Sequence, residues 1–142
     1  MEIVYAHVLR DDLLDQLVEA WREYKRETGF RTPDIPKERF KGIPIAVAIS
    51  GNKVIGFIEG HPKAGVVNKL YIRAGNRKQG VGTALMRNFA QQAMAHHQQI
   101  KATGPFSGPG LTFLKKIGGQ RKQGQNMFEL PANSIKWRRK PK

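Results

Sequence analysis

Leu70-Tyr71-Ile72-Arg73-Ala74-Gly75-Asn76-Arg77-Lys78-Gln79-Gly80-Val81-Gly82-Thr83-Ala84-Leu85 is the stretch on which the fold turns. An apolar run, 66–72, gives way to a basic loop containing Gly75 and Gly80. An amphipathic segment then begins at Val81, with Leu85, Phe89 and Ala93 on one stripe. That order predicts a strand, a loop and a helix. The first turn of a helix presents backbone N–H groups with no internal partner, and its dipole favours anions. Gly80 and Gly82 carry no Cβ, so a phosphate can come close to the backbone. Arg77 and Lys78 add positive charge at the rim.

Two common phosphate loops do not fit this stretch. A P-loop requires Lys and then Ser/Thr directly after its second glycine. Counted from Gly75, that glycine is Gly80, and Val81-Gly82 follow it. A dinucleotide fingerprint requires a third glycine where Leu85 stands, and an acidic residue about 20 positions on. The chain there reads His96-His97-Gln98-Gln99.

Outward from the loop, the chain alternates strand and helix signals. Ile3–Leu9 reads as a strand. A helix follows to about Glu27, capped by Asp11 or Asp12, with Leu13, Leu14, Leu17, Val18, Trp21 and Tyr24 as its apolar stripe and Thr28-Gly29 as its stop. The proline-bearing segment 30–44 is a loop with one helical turn at 37–41. Strands at 45–50 and 54–59 flank Gly51-Asn52, a pair suited to a tight hairpin. Strand 66–72 precedes the helix from Val81 to about His97. After it come a short strand at 99–103, a Gly/Pro-rich stretch at 104–110, a short helix at 111–117 and a strand at 126–130. This order predicts one α/β domain over residues 1–130 and a basic tail over 131–142. The domain is a mixed, mostly antiparallel sheet with helices on both faces, and the helix after Ile72 crosses over between parallel strands.

Arg77-x-x-Gly80-x-Gly82 matches the Q/R-x-x-G-x-G/A motif of the GNAT N-acetyltransferase family, and the strand–loop–helix setting matches too. Phe113-Leu114-Lys115-Lys116-Ile117-Gly118-Gly119 resembles that family's later F-Y-x-K-L-G-F segment, and Lys53-Val54-Ile55-Gly56-Phe57 resembles its third strand. The resemblance spans roughly residues 3 to 130. It implies that acetyl-CoA is the cosubstrate, bound by Leu70, Tyr71, Ile72, Arg77, Lys78, Gln79, Gly80, Val81, Gly82, Thr83 and Ser107. It also implies direct acetyl transfer to an amine, with no covalent enzyme intermediate.

Such chemistry needs a donor for the thioester oxygen, a base for the amine and a source of a proton for the leaving thiolate. A backbone N–H near Tyr71 or Ile72 is expected to serve the oxygen. The family's frequent acid is the tyrosine of the later segment, and that position is Leu114 here. Ser107 replaces a frequent asparagine, and Gly119 stands where the family prefers phenylalanine. Glu59, one of three acids after residue 35, is the candidate base. His61 is a second candidate, on the same strand face if that strand continues. Tyr71 is a candidate acid if it faces the thiol. The acids at 11, 12, 15, 19, 23, 27 and 34 line either an acceptor wall or the wet face of a helix.

The chain has 142 residues and a net charge of +14, unevenly placed. Residues 1–35 hold 5 Lys/Arg against 8 Asp/Glu, and residues 36–142 hold 20 against 3. The imbalance points to a polyanionic partner for the second part. A single coenzyme does not require so much. The surplus, with Lys115-Lys116, Arg121-Lys122 and the tail around Trp137, motivates a second reading: a nucleic-acid-associated or regulatory protein that keeps the fold with reduced catalysis, or an enzyme drawn to an acidic protein. The chain has no cysteine, which excludes thiolate metal sites, disulfides and a cysteine nucleophile. No metal site is expected. A cytoplasmic location with no membrane contact is expected, because the N-terminus lacks a secretory signal and no apolar run spans a bilayer.

Overall fold

The computed structural model describes residues 1–31, 33–96, 99–121 and 127–132. Its strands are β1 (Glu2–Tyr5), β2 (Ile45–Ser50), β3 (Lys53–His61), β4 (Val66–Ile72), β5 (Gln99–Ala102), β6 (Gln120–Arg121) and β7 (Phe128–Pro131). Its helices are α1 (Asp11–Thr28), α2 (Val81–Ala93) and α3 (Gly108–Lys116). The seven strands form one sheet in the order β1-β2-β3-β4-β5-β7-β6. Every neighbouring pair is antiparallel except β4 and β5, which α2 joins as parallel strands. The expected mixed sheet and crossover are present. Among the described residues no helix is long and apolar enough to cross a membrane.

The two faces of the sheet bury different side chains because strand residues alternate. Ile45, Val47, Phe57 and Tyr71 face α1, while Ala46, Ala48, Ile58 and Leu70 face α2 and α3. On the α1 side, aromatic rings fill the space. Trp21 stacks on Phe57 with centroids 5.6 Å apart and meets Phe40 edge-on at 5.4 Å. Tyr24 lies edge-on to Phe57 and to Tyr71, each at 6.0 Å. Such pairs each add about 1 kcal/mol beyond the area they bury.

Several boundaries differ from the sequence expectation. The first strand ends at Tyr5, and Ala6–Val8 form a 3-10 turn instead. Ala6 and Leu9 are thereby buried under α1 while Val8 is left exposed. Neither Asp11 nor Asp12 caps α1: Arg10 is the N-cap residue and makes no capping bond, so both acids sit in the first turn, where they complement the dipole. Gly29 does end α1 in the left-handed conformation, at φ 70°. The helical turn expected at 37–41 is a 3-10 turn that spans Lys37–Gly42, and β3 extends to His61. Helix α2 stops at Ala93, short of His97. Helix α3 begins inside the Gly/Pro-rich stretch, because the Ser107 hydroxyl accepts the Gly110 N–H at 3.2 Å and a proline stands in the first turn. Strand β6 was not anticipated. Lys122, Asn126 and the tail at 133–142 with Trp137 lie outside the described residues, as do His97 and Gln98.

Gly60 is where β3 passes beneath α2. A Cβ there would lie 2.4 Å from the Val66 carbonyl oxygen and 2.9 Å from the Phe89 ring. Gly60→Ala should destabilise the domain by about 3 kcal/mol, read as a lower urea midpoint at unchanged slope. An unchanged midpoint would mean that β4 yields freely at Val66.

Candidate functional site

β4 has one residue more than its partner. It pairs with β3 from Gly56↔Ile72 to Glu59↔Lys69, and the register then shifts to Gly60↔Val67, leaving Asn68 as the extra residue. On its other side β4 meets β5 only at Val66↔Lys101 and Val67↔Ala102. The Thr103 N–H reaches the Val67 carbonyl at 2.8 Å, and its hydroxyl reaches Asn68 Oδ1 at 3.2 Å; beyond that the strands part. The Arg73 N–H donates to the Ile55 carbonyl of β3 at 3.0 Å. Alternation along β4 from that bond directs the N–H groups of Tyr71 and Lys69 to β3, and those of Leu70 and Ile72 into the open fork. Of the two donors expected from sequence, Ile72 therefore remains, and Leu70 joins it. The N–H of Tyr71 is taken up by the sheet.

The fork leads into the basic loop. Lys78 and Gly80 both adopt left-handed backbone, at φ 62° and 82°, which turns the chain into α2. Gly80 is the N-cap residue of α2; no side chain caps it, and the first turn contains no acid. The N–H groups of Val81, Gly82 and Thr83 thus end the helix without a side-chain partner. Lys78, Gln79 and Gly80 are exposed. Gly82 has a packing reason as well: a Cβ there would come within 3.2 Å of the Phe113 ring of α3.

Arg77 faces away from that helix end. Its Nε donates to the Ile72 carbonyl at 2.9 Å, its terminal nitrogen forks onto both Glu27 oxygens at 2.7 and 2.8 Å, and its guanidinium lies 5.5 Å from the Tyr71 ring centre. Arg73 is held likewise by Glu23, at 2.6 Å. Every acid expected on the helix face has a basic partner. Asp11 and Asp15 share Lys37, Asp12 meets Arg10, Glu19 meets Arg22, and Asp34 meets Lys25 and Arg22. This face is an ion-paired surface that also clamps the loop.

On the α1 side of the fork lies a buried polar cluster. Glu59 Oε1 and Lys69 Nζ, paired across β3 and β4, are 3.1 Å apart, and each side chain is only 12% exposed. The Lys69 ammonium also lies 5.2 Å from the Trp21 ring centre and 4.9 Å from that of Phe30. The Trp21 indole N–H is buried, with no hydrogen-bond partner among the described residues. Tyr24 is fully buried, and its hydroxyl donates to the carbonyl of Pro105, in the segment that leaves β5. Burial first, and then the Glu59 charge, push its phenol well above the ordinary value. Tyr71 is raised as well, by burial and then by its bond to Glu27, and its hydroxyl lies 3.5 Å from Glu23. His61 is exposed at the far end of β3, beyond the register shift.

The profile of the GNAT acetyltransferase family matches residues 7–103, a span that includes the fork and the loop. The chain belongs to the GNAT acetyltransferase family. Among solved structures, an aminoglycoside 6'-N-acetyltransferase complexed with coenzyme A is similar at 16% identity and a TM-score of 0.69, over 93% of this chain and 97% of that one. A PaiA N-acetyltransferase from Thermoplasma acidophilum, in complex with coenzyme A, is similar at 16% identity and a TM-score of 0.65, over 92% and 98%. A GNAT family acetyltransferase from Brucella melitensis, in complex with acetyl-CoA, is similar at 15% identity and a TM-score of 0.57, over 92% and 86%. No curated protein matches the chain.

Within this GNAT domain, Leu114 is fully buried in the core beneath α2, and Ser107 serves as the cap of α3. The structure brings Glu59 close to the fork and leaves His61 apart from it. Sequence reasoning missed Lys69, Tyr24 and Phe30. Lys69 carried a signal, as the one charged residue inside a mostly apolar strand. Tyr24 carried none, since it reads as one more member of the α1 stripe.

The Glu27–Arg77 clamp has a pH signature. Burial, the largest single influence, opposes ionisation of Glu27, but its bonds to Arg77 and Tyr71 and the Arg77 charge together outweigh it, and the carboxyl lies below its usual value. A depressed folded-state value gives stability that is present above the unfolded value of about 4.3 and lost as pH falls through the folded one. Arg77→Gln should therefore shrink the fall in Tm between about pH 6 and pH 3. An equal fall in both proteins would remove the clamp from the acid response.

Proposed function

We propose that this GNAT domain binds acetyl-CoA and transfers its acetyl group directly to an amine. The observation that carries the proposal is the fork of β4 and β5 opening beside an uncapped, acid-free helix N-terminus. The residues fit the coenzyme. The N–H groups of Val81–Thr83 suit a pyrophosphate, Lys78 and Gln79 are exposed at the rim, and Leu70 and Ile72 offer donors in the fork. When bound, the coenzyme supplies the activated thioester. Leu70 and Ile72 then donate to the acyl oxygen as charge develops there. Glu59, nearly buried and held by Lys69, accepts the proton of the attacking amine directly or through water. Kinship with aminoglycoside and other N-acetyltransferases supports an amine acceptor of cationic, polyamino character. The surplus basic charge, including exposed Lys115 and Lys116 on α3, supports an added weak, salt-sensitive association with nucleic acid or an acidic protein.

Two variants test this. Gln79→Glu sets a carboxylate at the exposed rim without touching the core, and should weaken acetyl-CoA binding at least ~10-fold in calorimetry at unchanged Tm. Unchanged affinity would place the coenzyme elsewhere. Glu59→Gln should leave that affinity within about twofold and lower kcat by about 100-fold toward the best acceptor among a polyamine, an aminoglycoside and a lysine peptide. A full rate in Glu59→Gln would dismiss it as the base.

A further inference from the structure

When the bond between the acetyl carbon and sulfur breaks, the electron pair stays on sulfur, and a proton donor beside it lowers the barrier. The position at which the family resemblance implies a tyrosine holds Leu114, buried in the opposite core. The chain has three tyrosines. Tyr5 lies in edge strand β1 and accepts a hydrogen bond from Gln92 of α2. The Tyr71 hydroxyl is turned to Glu23 and its ring to Arg77. Tyr24 is placed differently. Its ring packs edge-on against Tyr71 of the β4 arm, at 6.0 Å, and its hydroxyl is bonded to Pro105 on the segment that continues the β5 arm. On the α1 side it bridges the two arms of the fork. Lys69, the other proton donor of the cluster, is turned into Glu59 and two rings.

We infer that Tyr24 of α1 is the general acid of the transfer and donates its hydroxyl proton to the coenzyme's sulfur. This rests on the acetyltransferase reading above. The amine lone pair attacks the thioester carbon, the carbon–sulfur bond breaks, and the Tyr24 hydroxyl exchanges the Pro105 carbonyl for the sulfur and protonates it. The amine's proton goes to Glu59. Its passage from Glu59 to the Tyr24 phenolate returns both groups to their starting forms, so the products are an acetylated amine and a free thiol. The groups that bear on the phenol are Glu59 of β3, Tyr71 of β4 and Thr28 of α1 itself. At neutral pH the hydroxyl carries its proton, as a donor must.

The test needs no acceptor. Coenzyme A labelled with carbon-13 at the thiol-bearing carbon is bound to the protein, and the thiol is titrated by NMR. A phenol donor stabilises the thiolate, so the bound thiol should titrate about one pH unit higher in Tyr24→Phe than in the wild type, at similar coenzyme affinity. Tyr71→Phe should leave that titration in place. Identical titrations in Tyr24→Phe and wild type would overturn the assignment. Should Tyr24→Phe not fold, fluorotyrosine at position 24 keeps the hydroxyl and makes it a stronger donor. The bound thiol must then titrate lower than in the wild type, and an unmoved titration overturns the assignment equally. Failure of the wild-type protein to bind coenzyme A would overturn the acetyltransferase reading itself.

Discussion

A strand residue offers its N–H and C=O to one side only, so a central strand can serve two neighbours only by alternation. Strand β4 breaks that bargain at Asn68. The extra residue keeps β4 bonded to β3 on both sides of the shift, while β5 leaves after Thr103. The polar groups of Leu70 and Ile72 then face a gap, and exposed or not they require partners. The Ile72 carbonyl finds one in Arg77, which fixes where the loop begins. The N–H groups of Leu70 and Ile72 are left facing the gap.

Helix α1 is the brace on which this opening rests. Its aromatic face packs on the sheet through Trp21 and Tyr24, while its next face reaches Arg73 and Arg77 through Glu23 and Glu27. One helix therefore sets both the ring cluster beside the fork and the position of the loop after it. The acids at 11, 12, 15, 19, 23, 27 and 34, which give the N-terminal part its negative balance within a basic chain, all stand in ion pairs. What remains of the charge asymmetry is the basic second part alone.

The Glu59–Lys69 pair is weak evidence for stability. Removing two charges from water costs several kcal/mol, and apolar residues of similar size often serve a fold as well. Here the pair sits next to Tyr24 and the buried Trp21 indole, under rings that exclude water from the α1 side of the fork. In the proposed transfer, the carboxylate bonded to Lys69 acts as base, and the buried phenol of Tyr24 acts as acid. Leu114 of α3 packs in the core and has no proton to give.

The sequence by itself determined the strand–loop–helix unit around Gly80, the stripe of α1, the hairpin at Gly51-Asn52 and the parallel crossover. These follow from short-range periodicity and from backbone conformations that few residues can adopt. It also drew attention to Glu59, one of three acids after residue 35. Only the tertiary structure decided which β4 amides face the fork, because the parity of the strand depends on one extra residue that leaves no mark in composition. Tertiary structure also turned Arg77 toward Glu27, fifty residues back in the chain, and set the Tyr24 hydroxyl against Pro105. Those partners are distant in sequence, and a residue's role is set by what packing brings to it, which local pattern does not encode.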